Sequence, residues 1–156
     1  MSNPKLYLMA GAAGSGKSYV RENNAELRHL PVVDADAHKK KHPDYDPKNP
    51  GTVHAWSNAE AKREFFFMLG MGVDFIYDGT GTNAEKYVQF TIDAKSAGYD
   101  VEVVYVKVSR ETSLKRNAAR ERNVPEDIVN AQHDTIAISI DIIAGYVDSV
   151  RVVKND

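Results

Sequence analysis

Residues 11 to 18, Gly11-Ala12-Ala13-Gly14-Ser15-Gly16-Lys17-Ser18, match the pattern G-x-x-x-x-G-K-[ST] at every fixed position. The glycines let the backbone curl until successive N–H groups point inward, and a helix that starts there adds the positive end of its dipole. Such a cradle suits the oxygens of a polyphosphate. Lys17 reaches the β- and γ-phosphates, and the Ser18 hydroxyl can hold Mg²⁺. The mechanism requires a strand before the loop and a helix after it. Leu6-Tyr7-Leu8-Met9-Ala10 reads as a buried strand, and Tyr19 to Leu27 has helical character. A glycine-rich turn with an incidental lysine would not need that context. The expected ligands are therefore a nucleoside triphosphate and Mg²⁺, with all eight residues from Gly11 to Ser18 around the phosphates. The motif alone leaves kinase, ATPase and switch GTPase open.

The rest of the chain alternates short hydrophobic runs with helical patterns. Further strands are expected at Pro31-Val32-Val33, ending in Asp34-Ala35-Asp36, at Val73 to Tyr77, ending in Asp78-Gly79-Thr80-Gly81, at Val101 to Val108, and at Val150 to Val153. His42 to Gly51 carries Pro43, Pro47, Pro50 and Gly51 and reads as loop. Ser57-Asn58-Ala59-Glu60 and Thr82-Asn83-Ala84-Glu85 have the form of capping boxes that open helices. The first of those helices is expected to stop at Gly70 or Gly72, the second at Gly98. Arg110 to Arg122 is a basic helix. Pro125 suits the first position of the next one, which carries Ile128, Val129, Ile136, Ile140 and Ile143 at near-helical spacing.

Strands separated by helices need crossovers, so the expected architecture is an α/β three-layer sandwich of the P-loop NTPase kind. Its sheet is mainly parallel and five-stranded. Ligands in such sheets bind at the carboxyl ends of the strands, which is where the loop, Asp34, Asp36 and Asp78 converge.

At 156 residues the chain suits one domain, taken as 1–156, and its 42% hydrophobic and 27% charged residues argue against disorder. Lys and Arg total 20 against 22 Asp and Glu, a net charge of −2, which excludes nucleic-acid binding by bulk positive charge. The absence of cysteine excludes disulfides, thiolate metal sites and a Cys nucleophile. No stretch approaches the ~20 apolar residues that span a bilayer, and Lys5 with its short apolar run is no signal peptide. The expectation is a cytoplasmic protein without a membrane partner.

Three segments beside the phosphate loop carry a resemblance. They are Asp34-Ala35-Asp36 through His42-Pro43-Asp44-Tyr45, then Asp78-Gly79-Thr80-Gly81, then Gly98-Tyr99 before the fourth strand. In this order they resemble the zeta toxin family of P-loop kinases, whose members carry D-x-D…H-P-x-[FY], an [ED]-G-T-G turn and a G-Y. The resemblance runs from about Leu6 to Val153. It implies transfer of the ATP γ-phosphate to a hydroxyl of a small molecule, since the best-studied zeta toxins phosphorylate the sugar of UDP-N-acetylglucosamine. It also implies an antitoxin-like protein partner. Other acceptors stay open, among them a polynucleotide or nucleoside 5′-hydroxyl, with nucleic acid less favoured. A non-catalytic nucleotide-dependent binding module also stays open, though no [NT]-K-x-D guanine-specifying element supports a switch.

By that resemblance Asp36 is the catalytic base, able to take the proton of an attacking hydroxyl. Asp34 and Asp36 have an ordinary alternative as a strand-ending turn or helix cap. Asp78 matches the acid of the E-G-T-G turn and would hold Mg²⁺ with Ser18, or else hydrogen-bond the turn glycines. The resemblance also implies a helical lid, and Arg120 and Arg122 match its two arginines, which stabilise charge on the transferring group. Arg116 shares a face with Arg120 at i, i+4 and is a further nucleotide contact. The alternative is a solvated basic face.

The resemblance thins between Asp36 and Ser57, where the chain is shorter and the acidic substrate contact expected after Ser57-Asn58 falls on Lys62. Trp56 is taken as a packing anchor ahead of a stacking surface, His42-Pro43 as fixing the loop, His133 as structural, and Phe65-Phe66-Phe67-Met68 as core.

Overall fold

The sheet begins with β1 (Lys5–Ala10), whose side chains alternate between two cores. Leu6, Leu8 and Ala10 face one layer, Tyr7 and Met9 the other, as the period of two dictates. The remaining strands are β2 (Val32–Asp34), β3 (Phe75–Asp78), β4 (Asp100–Lys107) and β5 (Ser149–Lys154). All pairings are parallel, in the spatial order β2-β3-β1-β4-β5. The computed structural model describes residues 2–46, 53–120 and 123–156.

From β1 the chain crosses outward to β2, and every later crossover steps the opposite way, past β1 to β4 and β5. That reversal opens a crevice at the carboxyl end of β1, where the glycine loop sits. The helices are α1 (Lys17–Glu22), α2 (Ala35–Lys39), α3 (His54–Met71), α4 (Ala84–Ser96), α5 (Arg110–Ala118) and α6 (Glu126–Ala144). Apolar residues of α3, α4 and α6 pack with Phe75, Tyr77, Val101 and Val103 into the larger core. The opposite face holds a smaller one, in which Ile76, Val104 and Val106 meet Val20, Leu27 and Leu30.

Several local readings shift. α3 starts at His54, three residues before the expected capping box, and Ser57 is buried with its hydroxyl donating to the His54 carbonyl 2.9 Å away. The hydroxyl serves the helix interior, so it caps nothing. α3 does stop at Gly72, in the left-handed region at φ 67°. The cap of α4 is Asn83, one residue after Thr82, its side chain accepting from the Lys86 N–H at 3.1 Å. α1 ends at Glu22 and turns follow it, whereas the sequence suggested helix to Leu27. α5 ends at Ala118, and Pro125 is the cap of α6, one position before the first helical residue.

Of the apolar run in α3, Phe65 is buried and Met68 packs against the core, but Phe66 and Phe67 are 44% and 63% exposed. Successive helical residues point about 100° apart, so four consecutive positions cannot all face the sheet. Residues 42–46 continue the turns that begin at Lys40, and the rest of the expected loop lies outside the described residues.

Candidate active site

The loop after β1 is shaped by two left-handed glycines, Gly14 at φ 80° and Gly16 at φ 85°, the latter being the cap residue of α1. A Cβ on Gly14 would come within 2.3 Å of the Ser113 carbonyl oxygen, so no larger residue fits there. Gly11 is tied to the next strand end by its N–H, which donates to the Thr80 carbonyl at 2.9 Å. Ala13 donates to Gln132 Oε1 at 2.9 Å, and its carbonyl accepts from Ser113 Oγ. Among the described residues the N–H groups of Gly14, Gly16, Lys17 and Ser18 meet no acceptor. Ser15 Oγ and Arg21 Nε are shielded from solvent and also lack a hydrogen-bond partner. Open amides, an orphaned hydroxyl and a helix start in one loop make an anion cradle, and a polyphosphate fits it.

Acidic residues edge the cradle. Lys17 Nζ lies 3.4 Å from Asp78 Oδ1 and 3.0 Å from the Gly79 carbonyl. Arg21, one turn further along α1, has Nε 3.6 Å from Asp78 Oδ2. Asp34, which pairs in register with Asp78, caps α2 by accepting from the Asp36 N–H at 2.8 Å. Its acidity is weakened: burial raises its pKa, and the carboxylates of Asp78 and Asp36 raise it further. Of the two roles weighed for this pair, the cap belongs to Asp34. Asp36 stands in the first turn of α2 with its side chain 51% exposed, on the wall of the same cleft as the glycine loop.

That cleft measures about 810 Å³. Its wall is made by the glycine loop with Arg116, Arg120, Pro125 and Ile128, together with Asp36, Lys39, His54, Asn58 and Lys86. Arg116 donates to the Ser15 carbonyl at 3.4 Å, while Arg120 is exposed in the turn after α5. The turn is braced by buried Asn117, whose side chain donates to the Val124 carbonyl at 2.7 Å and accepts from its N–H at 3.0 Å. Arg122 lies outside the described residues.

Sequence reasoning missed Arg21, Lys86, Asn117, Gln132 and Asn155, whose Nδ2 donates to the Ser15 carbonyl at 2.9 Å. Only Arg21 left a signal, its i+4 spacing from Lys17; the others reach the site from distant segments. Trp56 is 40% exposed and sets its ring edge-on to His42, with centroids 4.8 Å apart, so it holds the turn and stays off the cleft. His38 pairs with Glu64 at 2.6 Å. His133 is half-buried, with Nε2 shielded from solvent and without a hydrogen-bond partner among the described residues.

The family model described as Zeta toxin matches residues 1–156. The chain belongs to the zeta toxin family. No curated protein matches the sequence. Among solved structures, one from the PezAT chromosomal toxin–antitoxin system of Streptococcus pneumoniae aligns at TM-score 0.74 and 14% identity, over 100% of this chain and 70% of that one. The AvrRxo1-ORF1:AvrRxo1-ORF2 complex with sulphate ions aligns at 0.75 and 18%, over 97% of this chain and 55% of that one. Shikimate kinase from Acinetobacter baumannii, in complex with shikimate, aligns at 0.59 and 19%, over 96% and 83%. At these identities the likeness establishes the fold, that of the P-loop kinases. This zeta toxin family chain thus spans little over half of one relative's length. No helix among its described residues is long and apolar enough to cross a membrane.

Proposed function

We propose that this zeta toxin family chain is an ATP-dependent phosphotransferase that moves the γ-phosphate to a hydroxyl of a small molecule, with a nucleotide sugar as the leading acceptor. The observation that supports the reading is the shared cleft: a partly exposed carboxylate, Asp36, faces the same space as Lys17 and the open amides of the glycine loop.

In the proposed step an alcohol oxygen attacks the γ-phosphorus, its proton passes to Asp36, and the bond to the β–γ bridging oxygen breaks to leave ADP. Lys17 and the loop amides hold the triphosphate. Arg116 and Arg120 line the cleft and, with Arg122 by the family resemblance, supply positive charge where the transferring group gains negative charge.

Mg²⁺ would be held by the Ser18 hydroxyl and the Asp78 carboxylate, both hard oxygen donors of the kind it takes. When bound, it neutralises charge on the β- and γ-phosphates. Among the described residues no group of three or more His, Cys, Asp or Glu could hold a metal by itself. Binding of the ion should therefore require the nucleotide, which isothermal titration with and without a non-hydrolysable ATP analogue measures.

The test of the reading is acceptor profiling with [γ-³²P]ATP and mass spectrometry, in which one metabolite should gain a single phosphoryl group. Phosphate released only to water, at one rate with every acceptor, would favour the binding module. A 5′-hydroxyl oligonucleotide belongs in the same panel. The PezAT relative comes from a toxin–antitoxin system, and we extend to this chain an antitoxin-like partner, tested by co-purification of a small protein from the native host.

A further inference from the structure

The part of the cleft wall around Asp36 carries more positive charge than a base for a neutral alcohol requires. Lys39 from α2, His54 from α3 and Lys86 from α4 gather there beside Asp36. Lys39 is only 6% exposed, with Nζ 3.3 Å from His54 Nδ1 and 4.0 Å from Asp36 Oδ1. An ammonium can only donate, so Nδ1 accepts, and the neutral ring keeps its proton on Nε2. Burial first, then the ammonium groups of Lys39 and Lys86, hold His54 below the ordinary imidazole range, so that neutral form prevails at pH 7.

Lys86 is the less satisfied cation. Its Nζ stands 5.1 Å from the centre of the Tyr77 ring and 5.9 Å from that of Phe90, and among the described residues no carboxylate pairs with it. Burial lowers its pKa from the usual ammonium value. Ring faces return part of the cost of shielding an ammonium from water, but an apolar side chain would cover Tyr77 without that cost. A charge kept unpaired on a cleft wall is best explained by a partner that arrives with the ligand.

We infer that Lys86, supported by Lys39 and the Nε2–H of His54, receives an anionic group of the acceptor, so the alcohol that is phosphorylated also carries a phosphate or a carboxylate. This rests on the phosphotransferase reading. A nucleotide sugar meets the requirement through its diphosphate, a phosphate ester or a hydroxy acid meets it directly, and a neutral polyol does not. Specificity follows because a neutral acceptor leaves the ammonium desolvated and unpaired.

The experiment measures binding separately from transfer. The full chain is saturated with Mg²⁺ and a non-hydrolysable ATP analogue, which fills the glycine loop. It is then titrated with glycerol 3-phosphate, glycerate and UDP-N-acetylglucosamine, and with neutral glycerol and N-acetylglucosamine. At least one anionic probe should bind about tenfold or more tightly than its neutral counterpart. Lys86→Met should lose that preference while still binding the ATP analogue, which shows that it folds, and Lys86→Arg should keep most of it. Phosphate-bearing probes binding without glycerate would assign the site to phosphate, and glycerate alone would assign it to carboxylate. Equal affinity for charged and neutral probes, a preference that survives in Lys86→Met, or no measurable binding of any anionic probe overturns the inference. If anionic probes bind through Lys86 but none gains a phosphoryl group, the anion site stands and the phosphotransferase reading fails. If neutral alcohols are phosphorylated as fast as anionic ones, the reverse holds.

Discussion

Asp34 and Asp78 are register partners where β2 and β3 end, two carboxylates side by side with unlike surroundings. Asp78 faces the cations of α1, with Lys17 Nζ at 3.4 Å and Arg21 Nε at 3.6 Å. Asp34 faces the start of α2 and spends an oxygen on the Asp36 N–H. One strand edge therefore divides two tasks, the first carboxylate building the turn that carries Asp36 and the second meeting the phosphate loop.

Asp34 should make stability fall as pH rises. Its folded pKa is raised, so the folded state binds its proton more tightly than the unfolded chain does. Stability is then lost as pH climbs from the ordinary value of 3.8 through the folded value, and the loss is complete above it. Asp34→Asn keeps the cap and cannot ionise, so its urea midpoint relative to wild type should improve across that window and then level off. An offset that stays constant from acid to neutral pH would show that ionisation at this position is not the cause. Asp34→Ala, which removes the cap, should cost about 1 kcal/mol.

Asp36→Asn should keep nucleotide affinity and slow phosphoryl transfer by roughly 10²–10⁴-fold, the usual scale of a lost general base. Nucleotide titration and single-turnover kinetics separate the two effects. Wild-type transfer by this variant would remove Asp36 from its proposed role.

Gly14 and Gly98 share a left-handed backbone but not their surroundings. At Gly98, φ 88°, an added Cβ meets nothing within 4 Å. Gly98→Ala should therefore cost only the backbone term, about 1–2 kcal/mol, with nucleotide binding intact. Gly14→Ala adds the clash with the Ser113 carbonyl and should displace the loop from α5. Loss of nucleotide binding greater than loss of stability is the expected signature, read by titration beside thermal melting.

Two neighbours on α3 should behave oppositely. Phe65 is fully buried, stacked on Phe90 at 4.1 Å between centroids, and Phe65→Ala should cost about 3–5 kcal/mol. Phe67 is 63% exposed, and Phe67→Ala should stay within about 0.5 kcal/mol. Chemical denaturation of both variants checks the pair.

What could be read from the chain was what local spacing encodes. The glycine loop and its flanking strand were legible because one stretch of backbone does the whole job. The strands were legible because parallel strands covered on both faces read as apolar runs. The start of α3 was not, since Ser57 has the composition of a capping box but is buried one turn inside the helix, where its hydroxyl turns back to the His54 carbonyl. The split between Phe65 and Phe67 was hidden because helical phase is set by the sheet beneath.

The sequence by itself determined that a phosphate-binding loop would follow the first strand of a parallel sheet, with Asp34, Asp36 and Asp78 at the strand ends. Those outcomes depend on the bonded neighbours of each residue and on its alternation between faces. Only the tertiary structure decided that Lys86, Lys39 and His54 share a wall with Asp36, and that Asn117, Gln132 and Asn155 brace the loop and its lid. Those residues lie far apart along the chain. They meet because the crossovers bring α2 to α6 and the end of β5 around one crevice at the carboxyl edge of the sheet.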